Sequence, residues 1–316
     1  MQENKKEMID YDYYEIDLKK VFTILWHKKI LITFITLLSL TISIIYASMT
    51  PDIYKSSALL VPSSSKDSLS SKLSSYSPIA SLAGFGVASD EITKSQEALE
   101  RIKSFEFFSN HFLPYIKLQN LVATKEWLPE TDTLIYDKSV YDENSDKWLR
   151  QSNYPQISIP SEQEAFKTYT KILYIFEDKK KSLISISLEH QSPRIAKKWL
   201  DIIIENINSS MREEDKLNAI NSINYLNESS QSTTIQSMKD AIASLQETQM
   251  QTLMLASANK NYIFKTIDSP LIAEENFKPK RLLIIIFGFF IGVIFGITIA
   301  IISYFMNPLQ SRNIND

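Results

Sequence analysis

The sequence predicts an α+β membrane protein: two transmembrane helices flank a periplasmic domain with a small mixed sheet at its base and a long extended helical arm. Three observations predict it. Two long stretches without charge lie one near each end of the 316 residues. Between them apolar residues recur with the period of helices in some segments and of strands in others. Glycine, at five residues where average usage gives roughly 22, is too scarce for the phosphate-cradling loops of nucleotide-binding folds.

Composition narrows the function further. With 44% hydrophobic and 22% charged residues the chain is neither a disordered tail nor a polytopic transporter. The 34 Lys and Arg against 37 Asp and Glu leave a net charge of -3, which offers no footprint for nucleic acid. No cysteine is present, so disulfides, thiolate nucleophiles and iron-sulfur clusters are excluded. His27, His111 and His190 are too far apart to make a local metal-ligand spacing. No cofactor is expected.

Taking the elements in order, residues 1–29 form a cytoplasmic segment, and the run ILITFITLLSLTISIIYASMTP gives the first span over residues 30–49. Its apolar core is too long for a signal peptide and no A-x-A-like cleavage site follows. Lys19, Lys20, Lys28 and Lys29 precede it with no acid after Asp17, which places the N-terminus inside. Lys278, Lys280 and Arg281 precede the second span on the outer side; the first helix is taken to dominate, since a long connecting region translocates whatever its charge. Residues 50–281 are then external, residues 282–304 form the second span, and residues 305–316 a cytoplasmic tail.

IYKSSALLV, residues 53–61, has strand composition, and a serine-rich loop bearing Gly84 and Gly86 follows. Thr93 and Gln96 have capping-box spacing ahead of an amphipathic helix through Ala98, Ile102, Phe105 and Phe108, ending near Pro114. From Ala123 to Pro160 no period persists. The carboxylates Asp137, Asp142, Glu143 and Asp146 suit a solvated loop better than the two-carboxylate pair of a glycan hydrolase. Trp127, Tyr136, Tyr141, Trp148 and Tyr154 suit packing of that loop better than sugar stacking.

Ser161 and Glu164 make a second capping box, and LYIFED with SLISISLEH form a hairpin about KKK with one buried face. Ser192 and Pro193 open the longest helix, whose stripe Ile195, Trp199, Ile203, Ile207 and Met211 reads as core. It continues through Leu217, Ile220, Ile223 and Leu226. A polar break NESSQSTT then precedes a helix with Ile235, Met238, Ile242 and Leu245 at 3-4-3 spacing, a seam suited to a second protomer. The arm thus covers about residues 193–256. NYIFKTIDSP is a last strand that returns to the first; it ends at Pro270, and Pro279 precedes the second span. In that span Gly288, Gly292 and Gly296 share one helix face, where missing side chains let the two spans or neighbouring protomers approach closely.

The order EIDLKKVFTILWHKK, a span, PDIYKSSALLVP, a serine-rich stretch with SLAGFG, ALERIKSFEFF, the SEQEAF helix, a hairpin, SPRIAKKWLDIIIENIN, an extended helical region, and KPKR before a glycine-spaced span resembles the chain length determinant (Wzz) family of polysaccharide co-polymerases. The resemblance covers nearly the whole chain. It departs in the segment before the second span, where only Pro270 and Pro279 stand in place of a denser proline run. It implies an inner-membrane protein with both termini cytoplasmic, assembled into a homo-oligomeric ring. Such a ring sets the modal length of a growing glycan together with a separate O-antigen polymerase acting on lipid-linked polysaccharide, and has no catalytic centre. Relatives in capsule systems pair with or carry a tyrosine kinase. Without a P-loop or tyrosine-rich tail the O-antigen-type branch is favoured over a capsule or exopolysaccharide export co-polymerase. A membrane-anchored sensor is a more distant alternative, because neither terminal segment has room for an output domain.

Overall fold

The computed structural model describes residues 25–63, 93–151 and 157–306. Lys19, Lys20, the serine-rich stretch with Gly84 and Gly86, Tyr154 and the tail after Met306 lie outside the described residues. In chain order the elements are α1 (Lys29–Met49), β1 (Tyr54–Pro62), α2 (Lys94–Lys103), α3 (Leu118–Val122), β2 (Thr124–Leu128), β3 (Thr133–Tyr136), β4 (Tyr141–Asp142), β5 (Lys147–Trp148), α4 (Glu162–Ile172), β6 (Leu173–Asp178), β7 (Leu183–His190), α5 (Pro193–Ser232), α6 (Gln236–Ala258), β8 (Phe264–Asp268) and α7 (Arg281–Met306). They fall into two compact units, residues 51–278 and the pair of terminal segments 1–50 and 279–316.

In the terminal unit α1 and α7 are each long and apolar enough to cross a membrane. Their side chains face outward rather than into a protein core: Ile30 is 79% exposed, Phe34 68% and Phe287 64%. An apolar surface that continuous requires a non-aqueous solvent around it. The protein is membrane-anchored.

The central unit is built on a four-stranded sheet in the order β6-β7-β1-β8. Every pairing in it is antiparallel, running from Tyr54 opposite His190 to Leu60 opposite Ile184, from Leu173 opposite Leu188 to Asp178 opposite Leu183, and from Leu60 opposite Thr266 to Pro62 opposite Phe264. The expected mixed sheet is therefore corrected to a purely antiparallel one. The cause lies in α5 and α6, which run antiparallel: Asn227 on α5 meets Gln246 on α6 at 2.7 Å, and nearer the sheet Asn208 meets Phe264. The helical excursion leaves the sheet and comes back, so β8 enters running against β1.

One sheet face carries Ala58, Leu60, Ile184, Ile186 and Leu188, all buried, against the α5 stripe Trp199, Leu200, Ile203, Ile207 and Met211. Phe108, Phe112, Tyr169 and Trp199 join this core with ring centroids 4.9–5.7 Å apart in the tilted and edge-on arrangements aromatic rings prefer. Beyond Met211 the α5 stripe runs out of partners: Leu217 and Ile220 are exposed, with Ala219 buried. The helix continues unbroken through NESSQS to Ser232, 40 residues or about 60 Å at 1.5 Å per residue. The polar break shrinks to Thr233, Thr234 and Ile235, because serine, asparagine and glutamine tolerate a helix whose neighbour already lies alongside.

Both capping boxes form, with Thr93 accepting from Gln96 and Ser161 from Glu164, each answered by the reciprocal side-chain bond. The predicted single helix from Thr93 to Pro114 does not. Ser104 caps a new start by accepting from Phe107 N at 3.2 Å, and a π-turn at Phe108–Phe112 rotates Phe107, Phe108 and Phe112 into the core. The irregular region after Ala123 folds as two small hairpins, β2 with β3 and β4 with β5.

Two buried polar side chains fix the fold's joints. Asn208 on α5 receives hydrogen bonds from the backbone N–H groups of Ile263 and Phe264, both at 2.9 Å, and donates to the carbonyls of Ile204 and Phe264. It clamps the start of β8 onto the helix. His190 at the end of β7 accepts at Nδ1 from Ser192 N, so its Nε2 carries the proton and donates to the Asn120 carbonyl at 3.0 Å. Burial pushes its pKa down to about 4, holding the ring neutral.

Candidate functional site

The first feature that bears on function is the pairing of the two apolar helices. A Cβ at Gly292 would stand 2.9 Å from the Thr36 Cα and 2.8 Å from the Ser39 Cβ, and one at Gly296 3.2 Å from the Ile32 Cα. At both positions the main-chain atom lies almost as near as the closest side-chain atom, Ser39 Cβ at 2.8 Å and Ile32 Cγ2 at 3.1 Å, so the backbones of α1 and α7 approach closely. At Gly288 a Cβ would overlap the Ser43 hydroxyl. Ser39 Oγ donates to the Gly288 carbonyl at 2.8 Å, and Ser43 Oγ to the Ile284 carbonyl at 3.3 Å. In a medium without water such hydroxyls seek protein acceptors, and helices with small facing residues supply them. Of the two packings the glycine spacing allowed, the structure places the three glycines between the helices of one chain. Sequence reasoning passed over Ser39 and Ser43. Their own four-residue spacing, the mirror of the glycine spacing on α7, was the signal that could have found them. Arg281 Nε, donating to the Ala47 carbonyl at 3.3 Å, ties the two helices at one end. Pro279 is half-buried just before α7 and its carbonyl accepts from Arg281 N.

Pro270 sits buried two residues past β8, where the chain turns into a strap, residues 271–278, laid on the sheet. Ser56 Oγ donates to the Leu271 carbonyl at 2.8 Å, Asn276 donates to Asp52, and Ile53 bridges to Lys278. Lys278 Nζ lies 2.7 Å from Glu189 and over the rings of Tyr174 and Phe277 at 5.5 and 5.4 Å. Glu189 is 6% exposed, and its carboxylate raises the Lys278 pKa. The hairpin predicted with one buried face thus has a second covered patch at Ser187 and Glu189, while His190 lies on the core face with its ring 4.8 Å from that of Trp199. Strand alternation predicts which face a side chain takes. It says nothing of a strap arriving from eighty residues downstream.

On the arm, Ile235 precedes α6, and Ile235, Met238 and Leu245 are exposed while Ile242 is half-buried. The structure places Met238, Ile242 and Leu245 on α6 with Ile235 at its N-cap, and leaves most of their surface without a partner in the single chain.

The carboxylates after Ala123 are held by their own turns. Asp137 accepts from Ser139 N and Oγ, Asp142 from Asn144 N and Ser145 Oγ, and Asp146 from the Tyr141 hydroxyl. Those hydrogen bonds lower the pKa of Asp137 and Asp142 alike. A glycosidase acid needs the opposite shift. Asp142 and Glu143 do line a groove of about 430 Å³ with Tyr136, Tyr141 and Lys138. Its aromatics pack on one another, Tyr136 on Tyr141 at 5.3 Å and Tyr141 on Trp148 at 5.2 Å, while Trp127 packs on Tyr54. Among the described residues no group of three or more His, Asp or Glu side chains comes together to hold a metal.

These features define a class: a membrane-anchored α+β protein with two glycine- and serine-paired apolar helices, one before and one after, in sequence, an antiparallel sheet with a long helical hairpin. Comparison with known proteins adds a likeness over part of the chain. The family model described as "Wzz: Chain length determinant protein" matches residues 14–104. Among solved structures it is similar to a full-length bacterial polysaccharide co-polymerase at 13% identity, with a TM-score of 0.40, covering 92% of this chain and 98% of that one. It is also similar to a fragment of WzzB, a polysaccharide co-polymerase from Salmonella Typhimurium, at 14% identity and a TM-score of 0.28, covering 72% of this chain and 100% of the fragment. No curated protein sequence matches.

Proposed function

We propose that this protein regulates the chain length of a surface polysaccharide, the O-antigen of lipopolysaccharide. It acts as a non-catalytic homo-oligomeric scaffold in the bacterial inner membrane with the O-antigen polymerase and its lipid-linked substrate. The observation that carries the reading is the match of the chain length determinant model to residues 14–104, which include the first apolar helix and β1. The anchored architecture supports it: both apolar helices belong to one unit, and all the folded mass between them forms the other. In this reading the lysines before α1 keep both termini cytoplasmic, and residues 51–278 are periplasmic. The mechanism is geometric. Copies arranged side by side present a repeated surface to polymer or polymerase, with the exposed residues Ile235, at the N-cap of α6, and Met238 and Leu245, on it, meeting a neighbouring arm.

The test is an electrophoretic ladder of surface polysaccharide from a deletion strain, its parent and a complemented strain. A clustered band distribution in the parent that decays smoothly in the deletion and returns on complementation supports the reading. Loss of all surface glycan points to capsule or exopolysaccharide export instead, and an unchanged ladder refutes a role in chain length.

A further inference from the structure

Among the described residues the sheet ends in two strands, β6 and β8, that each have a strand neighbour on one side only. Such edges present a row of backbone donors and acceptors, and proteins normally blunt them with charge, proline or a covering segment. Both edge strands carry charge, Glu177 and Asp178 on β6 and Lys265 and Asp268 on β8, but each also bears an exposed apolar side chain. Phe176 on β6 is 69% exposed and Ile267 on β8 53% exposed, and both project from the face opposite the core.

Three relations between the two edges follow from the register. The first is direction. β1 is antiparallel to β7 and to β8, and β6 is antiparallel to β7, so β6 and β8 run opposite ways. A second copy turned to set its β8 beside β6 therefore extends the sheet in the antiparallel pattern it already has. The second is level. Phe176 pairs with Ser185, Ser185 with Leu59, and Leu59 stands at the bulge opposite Thr266 to Asp268 that contains Ile267. The two exposed apolar residues thus occupy one row across the sheet. The third is charge. Glu177, Ile184, Leu60 and Thr266 form the next row, and beyond it Asp178 ends β6 at the same end of the sheet where Lys265, the second residue of β8, pairs with Val61.

We propose that β6 of one copy pairs antiparallel with β8 of the next, so that the sheet runs from copy to copy with Phe176 against Ile267 and Asp178 beside Lys265 of the neighbour. The interface is head-to-tail, each copy giving one edge and receiving the other, and a contact of that kind closes into a ring when its rotation permits. This rests on the homo-oligomeric reading above and says which surfaces join the copies.

The chain has no cysteine, which makes the test direct. Full-length protein carrying both Phe176→Cys and Ile267→Cys, oxidised in membranes, is expected to give a ladder of disulfide-linked dimers, trimers and higher species. Either single variant should stay monomeric on a denaturing gel, and the two singles co-expressed should stop at dimers. Self-crosslinking of a single variant would overturn the head-to-tail arrangement. So would absence of the ladder in the double variant when amine-reactive crosslinking of the same membranes still yields oligomers. If amine-reactive crosslinking yields monomers alone, the homo-oligomeric reading falls, and the edge pairing falls with it. Both positions are exposed, and an unchanged melting temperature checks that the variants fold.

Discussion

Replacing Asn208 with leucine tests how the arm is joined to the sheet. The amide makes four hydrogen bonds, all buried: two from the N–H groups of Ile263 and Phe264 at 2.9 Å, and two to the carbonyls of Ile204 and Phe264 at 3.0 and 3.3 Å. Leucine has nearly the same volume and leaves no cavity, so the cost falls on the orphaned groups. Ile204 keeps its helical partner. The two N–H groups have no other acceptor in an apolar site where Ile263 is 5% and Phe264 0% exposed. Each buried unsatisfied donor costs about 1–3 kcal/mol, which sums to about 4 kcal/mol. For a unit of the size of residues 51–278 each kcal/mol lowers the melting temperature by about 2–4 °C, giving a fall of about 8–16 °C. The assay is thermal unfolding of the detergent-solubilised protein followed by circular dichroism, with amide hydrogen exchange of peptides covering residues 259–270. Exchange there should accelerate most, since the clamp holds the start of β8. A melting temperature within 2 °C of the parent, or unchanged exchange over β8, would refute the clamp.

Other outcomes follow from the same reasoning. Gly288→Ala should destabilise the helix pair by about 1–3 kcal/mol through overpacking, and Ser43→Gly in the same chain should restore it, because the obstacle is the Ser43 side chain; a double-mutant cycle on thermal stability measures the coupling. Gly292→Leu meets backbone at Thr36 instead and should have no such single-residue rescue. His190 has a folded pKa of about 4, below its unfolded value of about 6.5, so the unfolded chain binds the extra proton. Stability is then complete above about pH 6.5 and declines as pH falls towards 4, by at most about 3 kcal/mol. Urea titrations across that window should show the slope, and His190→Gln should flatten it. Lys278→Ala strands the buried Glu189 carboxylate and should cost about 1–3 kcal/mol, less than a fully buried pair because Lys278 is half exposed; adding Glu189→Gln should recover most of the loss in the same melt.

Local chemistry was legible in the sequence wherever one segment carries its own instructions. The two apolar runs, the Thr93 and Ser161 capping boxes, the hairpin about the three lysines and the Ile195 to Met211 stripe need only a period or a side-chain-to-backbone bond a few residues away. The four-residue glycine spacing marked a contact face but left its partner open between the other helix and another copy. Asn208, His190 and Glu189 read as ordinary polar residues. Each acquires its role from a group 55 to 89 positions distant in the chain, as with Ile263, Asn120 and Lys278.

The sequence by itself determined that this chain is anchored by two apolar helices, that helices and strands alternate between them, and that a long helix stands beyond the core. Hydrophobic period and capping are short-range properties, written within ten residues. Only the tertiary structure decided that the sheet is antiparallel throughout, that the arm folds back on itself, and that a strap covers the second face of the sheet around Glu189. Among the described residues it also left β6 and β8 open at opposite edges. Those outcomes depend on which distant surfaces meet, and burial energy rewards the meeting without recording it in local pattern.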